Sequence, residues 1–141
     1  GFVNGAGGRV SRMRDRLKAG HILALCDVNV KHGSHYIIHD RSVKEQAMDI
    51  EAQGGDAVIV TGFDTGMPPT VDKVLECKAA IGIPVLLGSG LAEENITELL
   101  SAADGAIVGS TFKAQGKWQN PVDYYRTKAF MDRVVKLRDT L

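Results

Sequence analysis

The chain has 141 residues, is 44% hydrophobic and 24% charged, and balances 17 acidic against 17 basic side chains for a formal net charge of zero. That is the composition of a soluble globular domain, and it lacks the basic footprint that nucleic acid selects, so no nucleic-acid partner is expected. No apolar run reaches the length of a transmembrane helix and no signal-peptide pattern opens the sequence, so a soluble, cytoplasmic protein is expected, with organelle residence and peripheral membrane association left open.

The sequence starts at Gly1 rather than methionine, which points to a fragment, a processed chain or a trimmed one. A helix is predicted around Val10 to Lys18. The first strand-like run, "ILALCDVNV" from Ile22, follows it. "SVKEQAMDIEAQGG" sets Ser42 and Glu45 in capping-box register and closes on a glycine pair, the start and stop signals of a helix. After a second apolar run, "AVIVTG" from Ala57, comes "TVDKVLECKAAIG". It begins at Thr70 behind Pro68-Pro69, turns Val71, Val74, Leu75 and Cys77 toward one side, and stops at Gly82. The third run is "PVLLGSG" from Pro84, leading into "AEENITELLSAAD", where Glu93 and Glu94 are expected in a first turn whose dipole favours acids. The fourth is "GAIVGS" from Gly105. A last helix is announced by "NPVD", with Asn120 as N-cap, Pro121 at the first helical position and Asp123 in the first turn.

The order is α(βα)₄ in a single unit over residues 1–141, with no second domain. Strand starts lie about 21 to 35 residues apart, the rhythm of right-handed βαβ crossovers, and runs rich in Val, Ile and Leu suit strands covered on both faces. The sheet is therefore predicted to be parallel. Periodicity accepts either an open doubly wound sheet or half of a (βα)₈ barrel.

In both architectures the chemistry gathers at the C-terminal ends of the strands. The first run ends "CDVNVKHG", where a period of two sends Asp27, Asn29 and Lys31 to one face. On a covered face an acid, an amide and a lysine need partners, and a binding site supplies them. The second ends "VTGFDTGMPP"; turn chemistry explains its glycines and prolines but not Thr61, Asp64 and Thr65 together. Thr61, Gly62 and Thr65 are therefore candidate substrate contacts, and Asp64 joins the candidate catalytic group.

The third and fourth ends both place Gly-Ser after an apolar run. Glycines there let backbone N–H groups approach a ligand, and with the hydroxyls of Ser89, Ser110 and Thr111 they suit a phosphate. Gly88, Ser89, Gly90, Gly109 and Ser110 are the candidate phosphate-binding residues. In (βα)₈ barrels such a site is commonly built on the loops after the last two strands.

Cys26 and Cys77 are far apart, with neither zinc nor redox spacing, and are expected as buried free thiols. His32, His35 and His39 lie just past the Asp-Asn-Lys run, and His32, beside Lys31, is the best acid–base candidate among them. Their spacing is not that of a helical metal pair. No metal and no cofactor is assigned. His21 falls at the opposite end of the strand. Lys113 and Trp118, in "FKAQGKWQNP", are compatible with a lid and equally with a cover.

The motifs "DVNVKHG", "GGDAVIVTGFDTGMPP", "IPVLLGSGLAEEN", "ADGAIVGSTFK", "GKW", "NPVD" and "RTKAFMDRV" together resemble the C-terminal half of the BtpA/SgcQ family, over essentially the whole chain. The resemblance implies a barrel similar to phosphoribosylanthranilate isomerase and other phosphate-binding (βα)₈ proteins, and a full-length protein about twice as long. It also implies that residues 1–8 follow strand four of the barrel. Four units cannot close a barrel, and their exposed edges imply self-association or pairing with the missing N-terminal half-barrel. The expected ligand is a small phosphorylated compound, a sugar phosphate or nucleotide-like molecule. Its conversion by an isomerase-, aldolase- or nucleosidase-like enzyme stands against a non-catalytic assembly or stability factor of the photosystem I biogenesis type.

Overall fold

In the computed structural model, which describes residues 5–30, 39–62 and 67–140, the elements run α1 (Gly7–Arg16), β1 (Leu25–Val28), α2 (Val43–Ala52), β2 (Ala57–Val60), α3 (Val71–Lys78), β3 (Val85–Leu87), α4 (Ile96–Ala102), β4 (Gly105–Ala106) and α5 (Tyr124–Arg138). Two single-turn 3-10 helices, Ser110–Phe112 and Ala114–Gly116, lie between β4 and α5.

Local chemistry accounts for most starts. The capping box at α2 is complete: Ser42 Oγ accepts from the Glu45 amide at 3.1 Å, and the Glu45 carboxylate accepts from the Ser42 amide at 2.8 Å. Thr70 caps α3 by accepting from the Lys73 amide. Two expected caps are corrected. Asp123, not Asn120, caps α5, accepting from the amides of Tyr125 and Arg126 at 2.9 and 3.1 Å. Glu93 and Glu94 precede α4 rather than sitting in its first turn, because Asn95 holds the turn before it open, accepting from the Ala92 amide and donating to the Gly90 carbonyl.

The four strands are parallel and ordered β1-β2-β3-β4. A doubly wound sheet reverses its strand order at a switch point. This sheet does not reverse, and right-handed crossovers then carry every intervening helix to the same face. Burial agrees. Val28, Val58, Val60, Val85 and Leu87, alternate residues joined by the strand register, enter the core with Ala47, Val74, Cys77, Ile96 and Leu99 from the helices. Phe130 and Val134 of α5 close that core, Phe130 meeting Phe112 edge-on at 5.3 Å.

The opposite face carries Leu25, Asp27, Ile59 and Leu86 in register; it is open at β1, whereas Ile59 is 7% exposed. Leu25 is 45% exposed and Asp27 is exposed as well. The sequence expectation of strands covered on both faces therefore fails at β1 and holds at β2, all four of whose residues are buried. One step of the expected polar alternation is corrected: β1 stops at Val28 because Asn29 takes a left-handed backbone, φ 51°, which breaks the alternation joining Asn29 to Asp27.

At the N-terminal ends of the strands two aspartates tie neighbours together. Asp104 accepts from the Val85 amide and from Lys78 Nζ, each at 2.8 Å. Asp56 accepts from the Ala24 amide at 2.6 Å and pairs with Arg14 at 2.7 Å.

Candidate functional site

The C-terminal ends of β3 and β4 border a cleft of about 810 Å³. Gly88, Ser89 and Gly90 line one side, and Gly109, Ser110 and Thr111 the other. The Gly116–Gln119 segment and Arg126, from the first turn of α5, complete the lining, with Glu93 and Glu94 at its acidic edge. All five residues singled out for phosphate therefore share one hollow.

Their hydrogen bonds are unequal. The Gly88 amide donates to the Val60 carbonyl and is part of the sheet, Ser89 Oγ donates to the Met67 carbonyl, and Thr111 Oγ1 donates to the Leu91 carbonyl. Among the described residues no backbone carbonyl takes the amides of Gly90, Gly109 or Ser110. Those three amides and the Ser110 hydroxyl are neutral donors the cleft can offer an anion, beside the cations Lys117 and Arg126 of its lining.

The glycines divide the same way. A Cβ on Gly90, where φ is 74°, would overlap the Met67–Pro68 backbone, and one on Gly62 would overlap the same segment. A Cβ on Gly88 would come within 2.5 Å of Thr61 Cγ2 and 2.7 Å of Ile59 Cγ2. Close packing of the loops after β2 and β3 is thus enough to require glycine at 62, 88 and 90. Gly109 differs, because a Cβ there would meet nothing within 4 Å.

Thr61 stands between this cleft and the face of the sheet opposite its helices. It follows β2 on the face of Ile59 and Asp27, it is 6% exposed, and its Oγ1 is buried with no hydrogen-bond partner among the described residues. An orphaned buried hydroxyl is costly and marks a place where a partner is missing. Its carbonyl is occupied by Lys73 Nζ at 3.1 Å, and burial pushes the Lys73 ammonium pKa down. Asp27 lies two residues earlier in register on that face, and Asn29 sits half-buried beyond the strand end. Lys31, His32, His35, Asp64 and Thr65 lie outside the described residues.

Sequence reasoning missed Lys73 and Arg126. Each reads as an ordinary helix-surface cation, and only the fold brings Lys73 to the end of β2 and Arg126 to the end of β4. Cys26 and Cys77 are free; Cys77 is buried, its thiol pushed up to about 11 chiefly by that burial, whereas Cys26 is only half-buried. Among the described residues no three His, Cys, Asp or Glu side chains gather as a metal site would require. Nor is any helix there long and apolar enough to cross a membrane.

The family model for the BtpA family matches residues 1–136. An uncharacterized mitochondrial protein of Caenorhabditis elegans is 37% identical over 138 residues, covering 98% of this chain and 50% of its own length. An uncharacterized protein of Thermococcus kodakarensis is 33% identical over 141 residues, covering 99% and 52%. The photosystem I biogenesis protein BtpA of Synechocystis is 33% identical over 138 residues, covering 96% and 47%. The chain thus spans about half the length of the curated relatives it matches. Among solved structures, a thiamine phosphate pyrophosphorylase from Pyrococcus furiosus is similar over 74% of this chain and 65% of its own, with 14% identity and a TM-score of 0.42.

Proposed function

The chain belongs to the BtpA family, and on that premise we propose that it is the C-terminal half of a (βα)₈ barrel that holds a small phosphorylated ligand, a sugar phosphate or nucleotide-like compound, at the ends of β3 and β4. Relatives of twice the length, a sheet wound in one direction and a face left open at β1 opposite its helices support the half-barrel reading. The missing half, or a second copy of this chain, covers that face and the edges at β1 and β4.

One observation carries the ligand assignment. Gly109, Ser110 and Gly90 bring amides that no described backbone carbonyl accepts into one cleft, beside the Ser110 hydroxyl, at the end of the sheet where (βα)₈ enzymes bind phosphate. Gly88 and Ser89 shape its other wall, Thr61 and Gly62 lead from it toward Asp27, and Thr65 is assigned to substrate contact from its sequence position alone. Conversion of the ligand falls to Asp27 as base and Lys31 as acid or amine nucleophile, assisted by Asn29, His32 and Asp64. Crystals of the protein grown with inorganic phosphate test the site. An anion on the amides of Gly109 and Ser110 supports it, and an anion-free cleft at saturating phosphate refutes it.

A second reading takes its support from the name of the Synechocystis relative, a photosystem I biogenesis protein. On that reading the barrel is a non-catalytic assembly factor that acts through its surface. It requires that variants at Asp27, Gly109 and Ser110 support assembly as well as the wild type does.

A further inference from the structure

Ten residues after β4 make an excursion more elaborate than a connection needs. Lys113 and Val122 pair in an antiparallel bridge at its base. The Ala114 amide donates to the Pro121 carbonyl at 2.9 Å, and Asn120, instead of capping α5, donates from Nδ2 to the Ala114 carbonyl at 2.8 Å. Inside this brace Gln115 and Gly116 are both left-handed, with φ of 59° and 69°. A non-glycine residue held in that region costs energy and is kept only where the surroundings impose it. At the far end of the excursion Trp118, the single tryptophan of the chain, is 71% exposed and lines the same cleft as Gly109 and Ser110.

Arg126 faces this loop from α5. Its Nε donates to the Thr111 carbonyl at 3.1 Å, and a terminal nitrogen lies 3.7 Å from where a Cβ on Gly116 would be. One of its five donors is thus spent on fixing the guanidinium at the cleft. The fork that remains suits a phosphate oxygen pair.

A large apolar ring left in water on a braced loop is a platform, and the ligand face it fits is another flat ring. Resting on the phosphate reading above, we propose that Arg126 and Trp118 are the specificity-determining pair of this cleft, and that its ligand is a phosphomonoester carrying a planar aromatic group, as in a nucleoside monophosphate, rather than a simple sugar phosphate. Arg126 supplies the countercharge that amides and hydroxyls lack. Trp118 stacks on the ring.

Calorimetric titrations of the protein with inorganic phosphate, ribose 5-phosphate, AMP and adenosine, followed in parallel by tryptophan emission, test this. The expected result is that AMP binds about tenfold or more tighter than ribose 5-phosphate and perturbs the emission. Trp118→Leu removes that advantage while inorganic phosphate binds within about twofold of wild type, and Trp118→Phe keeps part of it. Arg126→Gln weakens all three phosphates about tenfold, and Arg126→Lys recovers part of the loss. Phosphate binding with no preference for AMP overturns this inference and leaves the phosphate site standing. Adenosine binding through Trp118 without any phosphate binding overturns the phosphate site and this ligand class together.

Discussion

The side chain of Asp104 accepts a hydrogen bond from the Val85 amide at 2.8 Å while the Asp104 amide donates to the Val85 carbonyl at 2.9 Å, so that one residue clasps its neighbour's strand at two points. Asp56 does the same to Ala24, at 2.6 and 2.9 Å. Each clasp sits at the N-terminal end of a strand pair, the end that stabilises (βα)₈ folds and does not carry their chemistry. Asp104→Asn should lower stability by about 1 kcal/mol, since the lost charge-assisted bonds are partly exposed to water. Urea unfolding reads this directly, and ligand affinity should not move.

Acid should undo the same clasps. The Ala24 amide first, and then Arg14, hold the Asp56 carboxyl below its ordinary range. Burial pushes Asp104 upward, but the Lys78 ammonium and the Val85 amide outweigh it and leave the carboxyl lowered. A carboxyl with a depressed folded pKa gives stability that is complete above its unfolded value of about 3.9 and disappears as pH falls through the folded value. Stability should therefore fall below about pH 4, and Asp104→Asn should differ from wild type near neutrality yet approach it in acid. Parallel unfolding curves across that range would refute the assignment.

The parallel α/β plan was legible because each part of it has a local signature. Ser42 with Glu45, Thr70, and the valine runs at 57–60 and 85–87 specify starts and buried strands without long-range help. The errors arose where a residue type has several uses open to it and the surrounding loop chooses among them. Asn95 and Asn120 both carry N-cap chemistry, but neither side chain caps its helix, because each is spent on a carbonyl of an adjoining loop. The alternation through Asn29 failed because a left-handed residue ends the extended backbone that alternation requires. Gly88 and Gly90 were singled out for phosphate and do line the cleft, but their need for glycine comes from Thr61, Met67 and Pro68, which no pattern within residues 85–95 reveals.

That difference separates two substitutions that look alike in sequence. Gly90→Ala must hold φ near 74° and displace the Pro68 backbone, a cost of about 2 kcal/mol or more before any ligand is considered. Gly109→Ala meets no described atom within 4 Å beyond its chain neighbours and should change stability by less than about 0.5 kcal/mol, while placing a methyl group beside the amides of Gly109 and Ser110. Gly109→Val enlarges the obstruction. Phosphate affinity should fall in the order wild type, alanine, valine at nearly constant unfolding free energy; unchanged affinity in the valine variant would move the anion away from this wall.

Thr61 gives the sharpest separation of stability from function. Its hydroxyl is buried without a partner among the described residues, so the folded chain bears a desolvation cost that a methyl group in the same place would not. Thr61→Val keeps the shape against Gly88 and should raise stability by about 1 kcal/mol in denaturant. If the hydroxyl is kept for the ligand, the same variant binds its phosphorylated ligand more weakly although it is the more stable protein, the trade expected where a site is held at the expense of the fold. Were Thr61→Val instead less stable, the hydroxyl must already be satisfied within the protein, and Thr61 would leave the list of ligand contacts. Higher stability with unchanged affinity would make it a packing residue of the face opposite the helices, and the route from the cleft to Asp27 would have to run through other side chains.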